Sequence, residues 1–154
     1  VFLNSKAHVL PDVTEAISDA DTIVIGPGDL FTSLIPNLLV GGVADAIKKS
    51  KADKIFVCNV MTKNGETNNF NASDFLKAIE NYMGEGILTH FIVNNKKCSE
   101  ELLKKYAEEN AAQVEVDSRL LSRKDIKIIT GDFINEADIV RHESSKIAKV
   151  IIDL

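Results

Sequence analysis

The 154 residues contain no tryptophan, and cysteine and methionine occur only twice each. Cys58 and Cys98 form no CxxC pair and have no histidine ladder nearby. Such sparse usage excludes a disulfide scaffold and a regular zinc site, and it fits a reducing, cytoplasmic compartment. No apolar run approaches the roughly 20 residues needed to span a bilayer. The N-terminus has neither a basic region nor a small-residue cleavage site, so neither a membrane span nor a signal segment is expected. Positive charge is also scarce: 18 Lys and Arg face 23 Asp and Glu, for a net charge of -5. Counterion release from a phosphate backbone needs a basic face, which argues against a nucleic-acid partner. There is no GxSxG motif, no Walker loop and no GxGxxG, and neither cysteine has a base positioned beside it.

What is present is a chain 45% hydrophobic and 27% charged, enough to bury one core in a single α/β domain over residues 1–154. Short β-branched runs predict strands at Thr22–Gly26, Lys54–Asn59, Thr89–Asn94 and Lys127–Thr130, with a weaker one at Gln113–Val116. Helical spacing links Val43, Ala46 and Ile47, then Phe75, Leu76, Ile79 and Met83, then Leu102, Leu103 and Tyr106. A final helix over Ser144–Leu154 would dock by Ile147, Val150 and Ile151. Asn71 and Asp74 have capping-box spacing, Ser99 precedes two glutamates, and Asn110 suits a left-handed helix end. The alternation predicts an α/β fold, a mostly parallel sheet with helices on both faces.

In open parallel sheets ligands bind beyond the carboxyl ends of the strands, which directs attention to three loops. The first, Gly26-Pro27-Gly28-Asp29, runs through Thr32 and Ser33 to Asn37. Its glycines permit close backbone approach, and a helix starting near Pro36 would offer free N–H groups to an anion. The same residues also make an ordinary tight turn whose hydroxyls cap the next helix. The second loop, Asn59 to Asp74, is long for an α/β connection. Asn59, Thr62, Gly65, Glu66, Thr67 and Asp74 suit a sugar, a base or a hydrated magnesium ion, and equally suit a solvated surface loop. The third, from Asn94 through Lys97, pairs amides with lysines and is also compatible with a simple turn. His8 and His90 have no partner at ligand spacing. Arg141 and His142 either touch an anionic ligand or cap the last helix.

Together "VIGPGDLFTSLIPNLLVGGVADAI", "FVCNVMTKNGETNNFNASDFLKAI", "KYAEENA" and "IVRHESSKIA" resemble the gluconeogenesis factors related to 2-phospho-L-lactate transferase. The resemblance implies a Rossmann-like fold whose two halves flank a nucleotide-binding cleft. Its bacterial branch implies a regulator of carbon metabolism and cell shape that binds nucleotide diphosphate sugars. Its transferase branch implies transfer of a phospholactyl group from a guanosine diphospho-lactate donor to a deazaflavin precursor, with magnesium. By position, the resemblance places Gly26, Pro27, Gly28, Thr32, Ser33 and Asn37 in the family's first loop, and Asn59, Thr62, Gly65, Glu66, Thr67 and Asp74 in its second.

Asp29 and Phe75 stand where the family commonly has Ser and His. The carboxylate at 29 would repel a nearby phosphate unless a cation intervened. The family's N-terminal glycine-rich strand-turn-helix has no counterpart here, so the chain is expected to be the C-terminal half of the family domain. The expectation is a nucleotide-sugar-binding regulatory protein with no assigned metal and with self-association open. The alternatives are a magnesium-dependent transferase with Asp74 or Glu66 as metal or base group, and a half-domain that binds nothing alone.

Overall fold

A computed structural model describes residues Val1–Leu154. The elements in chain order are α1 (Pro11–Asp19), β1 (Thr22–Ile25), a π-helical turn (Leu30–Leu34) continuing into α2 (Ile35–Leu38), α3 (Val43–Lys49), β2 (Asp53–Val57), α4 (Ala72–Met83) and β3 (His90–Asn94). After these come α5 (Glu100–Glu108), α6 (Ser118–Leu121), β4 (Lys127–Gly131), β5 (Ile134–Glu136), β6 (Val140–His142) and α7 (Ser144–Ile152). The first four strands form one sheet in the order β1-β2-β3-β4, every pair parallel. The α/β architecture is as the alternation predicts.

Right-handed crossovers between strands added in one direction all fall on one face of a sheet. That face carries the main core. Ile25 of β1, Phe56 of β2, and Phe91 and Val93 of β3 meet Ile47 of α3, Phe75, Leu76, Ile79 and Met83 of α4, and Leu120 of α6. Phe56 and Phe91 are register partners, with ring centroids 5.2 Å apart. The alternate residues Ile55, Val57 and Ile92 point to the other face, where α7 covers them through Ile147, with Val150 and Ile151 alongside and Phe133 completing the cluster. Burying aliphatic side chains is worth ~1.5–3 kcal/mol each, which holds a nine-residue helix that would not form alone.

The structure corrects the weak strand. Residues Gln113–Val116 join no sheet: Gln113 makes one antiparallel bridge to Met61, and the Val114 N–H donates to the Val60 carbonyl at 2.8 Å. This segment steadies the second loop instead. The Asn71–Asp74 cap is present, with the Asn71 N–H donating to Asp74 Oδ2 at 2.9 Å, and Asn110 has φ 56°. Ser99 occupies its N-cap position without a side-chain cap bond.

No helix is long and apolar enough to cross a membrane. Both cysteines are free and buried. Desolvation pushes the Cys58 thiol far above its ordinary range and raises that of Cys98 as well. Thiolates are the reactive form, so neither is expected to react with a thiol reagent at neutral pH in the folded protein. Labelling with an aromatic disulfide reagent should give no fast phase before denaturant is added and two equivalents after it.

Candidate functional site

The first loop leaves β1 abruptly. Gly26 has φ +84°, and a Cβ there would lie 2.9 Å from the Val57 carbonyl oxygen, so only glycine lets this turn pack against the end of β2. The chain then tightens: the N–H groups of Ser33 and Leu34 both donate to the Asp29 carbonyl, at 2.9 and 3.0 Å. The Leu34 bond, reaching five residues back, is that of a π-helical turn, a rare geometry frequent at functional sites. The turn leaves Thr32 and Ser33 exposed on the outer surface. The Asn37 amide donates back to the Ser33 carbonyl at 2.6 Å.

The second loop is held from inside. Thr62 is buried, its N–H donating to the Ala112 carbonyl at 2.7 Å while its hydroxyl accepts the Ala112 N–H at 2.8 Å. Thr67 is also buried. Its hydroxyl accepts the Lys63 N–H at 2.9 Å and its own N–H donates to the Lys63 carbonyl at 2.9 Å, closing residues 63–67 into a turn. Gly65, with φ +80°, sits at the apex. The turn aims Lys63 and Glu66 at the first loop. Thr32 Oγ1 donates to Glu66 Oε1 at 3.1 Å, and Lys63 Nζ lies 3.1 Å from the same oxygen. Lys63 also pairs with Asp29 Oδ2. Its hydrogen bonds to Asp29 and Glu66 raise its pKa above the ordinary lysine range. The carboxylate at position 29 is therefore met by an ammonium supplied from the other loop.

Two buried acceptors in this second loop have no partner, Asn59 Oδ1 and Glu66 Oε2. An unsatisfied buried acceptor costs ~1–3 kcal/mol, and each one needs an explanation. Asn59 lines a cavity of about 390 Å³ with Pro27, Tyr106, Arg141, His142 and Ser144. His142 Nε2 lies 3.0 Å from the Cys58 carbonyl, which can only accept, so Nε2 carries the proton and Nδ1 is left as an acceptor. Burial lowers the imidazole pKa against the opposing pull of that carbonyl, favouring the neutral form. Tyr106 Oη accepts the Val140 N–H at 3.1 Å, which leaves its hydroxyl proton free to donate. Arg141 is exposed and forms no salt bridge or side-chain hydrogen bond. The cavity thus offers two acceptors, a hydroxyl donor and an unpaired guanidinium.

Other sequence candidates are committed elsewhere. Asp74 Oδ2 accepts the Asn71 N–H at 2.9 Å and Arg119 Nη2 at 3.1 Å. Arg119 in turn pairs with Asp117, whose oxygens also take the Ser73 N–H and hydroxyl. Asp74 thereby caps α4 and ties it to α6. Asn94 is buried, its Oδ1 accepting the Phe133 N–H at 3.1 Å and its amide donating to the Lys96 carbonyl at 2.8 Å. A larger cavity of about 530 Å³ opens beside it, but Gln113 on its wall is also used internally, by the Cys98 N–H and the Lys96 carbonyl. The structure adds Lys63 and Tyr106 to the site and brings in Arg141 and His142. Tyr106 has the spacing of a core-facing helix residue, so only folding reveals it, whereas the Arg-His pair, whose sequence allows contact with an anionic ligand, is brought beside Asn59 by the fold.

The sequence model of the family described as 2-phospho-L-lactate transferase CofD matches residues 1–134. The chain belongs to the CofD family. A gluconeogenesis factor of Halalkalibacterium halodurans is 44% identical over 99% of this chain and 48% of its own length. The gluconeogenesis factor of Bacillus subtilis is 37% identical over 100% of this chain and 49% of its own length. The chain thus spans about half the length of these CofD-family relatives. A crystal structure of a UPF0052-family protein from Bacillus halodurans superposes with a TM-score of 0.90 at 45% identity, covering 94% of this chain and 47% of that one. The Rossmann-like reading and the family resemblance are both upheld.

Proposed function

We propose that this CofD-family chain carries part of the binding site for a nucleotide diphosphate sugar, in a cytoplasmic protein that regulates carbon metabolism and cell shape. The observation that carries the reading is the pair of buried, unpartnered acceptors, Asn59 Oδ1 and Glu66 Oε2, in the second loop at the carboxyl edge of the sheet. Sugar hydroxyls and the imide of a pyrimidine base are donors of the kind such acceptors lack. The glycine turn at Gly26 and Gly28 and the helical turn after Asp29 present backbone N–H groups to phosphate, because first-turn donors have no intrahelical acceptor. Arg141, on the cavity rim, is an unpaired cation for the same phosphates. Thr32, Ser33 and Asn37 line the approach along the first loop, while Thr62, Thr67 and Asn94 act by holding the loops in shape.

In the alternative transferase reading Asp74 is the weaker base candidate, because its Oδ2 is already shared between the helix cap and Arg119. Arg141→Ala should weaken affinity for uridine diphosphate glucose by roughly tenfold to a hundredfold, the effect of losing a charge-assisted pair. Asn59→Leu should weaken it similarly, with little change in melting temperature for either variant. Calorimetric titration of both variants decides: undiminished affinity in both removes the cavity from the site.

A further inference from the structure

The family resemblance implies magnesium beside the phosphates, and Asp29 and Glu66 are the carboxylates that face each other across the two loops. The residues present do not fit that ion. Magnesium demands oxygen ligands at ~2.0–2.1 Å in a near-octahedral set. At this junction Glu66 Oε1 is held by Lys63 Nζ at 3.1 Å and by the Thr32 hydroxyl at 3.1 Å, and Asp29 Oδ2 is paired with the same ammonium. No three His, Cys, Asp or Glu side chains converge anywhere in the chain to hold a metal ion. A lysine therefore occupies the place between two carboxylates that a cation would need.

We propose that Lys63 supplies the positive charge at the junction of the two loops, so that ligand binding by this protein does not require a divalent cation. The inference rests on the nucleotide-sugar reading for its ligand. Its geometry is independent of that reading: the closed turn fixed by Thr67 holds Lys63 toward Asp29 and Glu66. One ammonium against two carboxylates leaves the junction acidic, and Glu66 Oε2 keeps its capacity to accept a hydroxyl. A phosphate on the first loop then meets an Asp29 already paired with an ammonium, which reduces the repulsion a bare carboxylate would impose. Lys63→Met unmasks the two carboxylates and the Thr32 hydroxyl, an oxygen set of the kind hard cations take.

The test is titration with uridine diphosphate glucose in chelator and in millimolar magnesium, beside a titration with manganese alone followed by electron paramagnetic resonance. The wild-type protein should bind the nucleotide sugar within about twofold of the same affinity in both conditions, and Lys63→Arg should behave alike. Lys63→Met should bind roughly tenfold more weakly in chelator, recover with magnesium, and gain a manganese site absent from the wild type. Wild-type binding that demands magnesium overturns the inference and leaves the nucleotide-sugar reading standing. If no nucleotide sugar binds under any condition, that reading fails, and the manganese arm still decides this one. A wild-type manganese site lost in Asp29→Asn overturns it, and a site gained only in Lys63→Met supports it.

Discussion

Arg123→Ala is expected to destabilise the fold by ~3–5 kcal/mol, the range for removing one partner of a buried ion pair. Arg123 grips Glu80 with both ends of its guanidinium, at 3.0 and 2.7 Å, and reaches Asp125 at 2.7 and 2.5 Å. The Glu80 side chain is only 4% exposed, on a helix that otherwise turns Leu76, Ile79 and Met83 into the core. Truncating the arginine strands that carboxylate in an apolar setting, where its charge has no other partner. Asp125, half-exposed and held down to about 2 by its hydrogen bonds from Arg123, simply returns to solvent and adds little. At ~2–4 °C per kcal/mol for a chain of this size, the melting temperature should fall by ~6–20 °C. Replacing Glu80 and Arg123 together with methionine should recover most of the loss, since paired replacement by apolar groups is often close to neutral. A loss below ~1 kcal/mol in the single variant, read from urea unfolding, contradicts the role given to this pair.

Gly26→Ala is expected to cost ~2–3 kcal/mol and to weaken ligand binding at the same time. The left-handed φ of +84° is unfavourable for alanine by ~1–2 kcal/mol, and the added methyl meets the Val57 carbonyl at 2.9 Å, a contact that backbone must yield to accommodate. The movement falls on Pro27, which lines the cavity with Asn59 and Arg141. Gly65→Ala is the internal comparison. That residue has φ +80° but nothing within 4 Å of its Cβ, so alanine there carries the conformational cost alone, ~1–2 kcal/mol. Equal unfolding free energies for the two variants would show that the close approach at Gly26 has no energetic weight.

The main sheet was legible because its central strands are buried on both faces. Ile55, Phe56, Val57 and Cys58 are fully buried, and a continuous apolar run of that length has few other homes. α4 was legible from its cap and its four-residue apolar spacing. α1 was not, because it buries no residue completely and packs through a half-buried Ile17, so its pattern is thin even with proline at its start. The β5–β6 hairpin escaped for a similar reason: each strand has three residues, and Asn135 and Glu136 face solvent. At Gln113–Val116 the alternation of Val114 and Val116 mimics a strand, but the segment serves loop packing against Val60 and Met61.

The site divides along the same physical line. Glycines at the first loop announce close approach because no other residue permits it, and the length of the second loop announces a purpose. Whether an amide or hydroxyl faces a ligand or the protein is a matter of tertiary contact. Asn59 and Asn94 are the same residue type at two strand ends, yet Asn59 keeps an orphaned oxygen while both ends of Asn94 are satisfied. Asp74 and Glu66 differ likewise, one closing a helix and the other facing the first loop.

The central claim is that the loops after β1 and β2, with the β6 Arg-His pair, receive a nucleotide diphosphate sugar. A crystal structure of the protein grown with uridine diphosphate glucose tests it most directly. The account predicts the diphosphate against the Gly26–Ser33 backbone and within reach of Arg141, with ligand donors on Asn59 Oδ1 and Glu66 Oε2. A nucleotide sugar bound elsewhere, with those two oxygens still unpartnered, would contradict it.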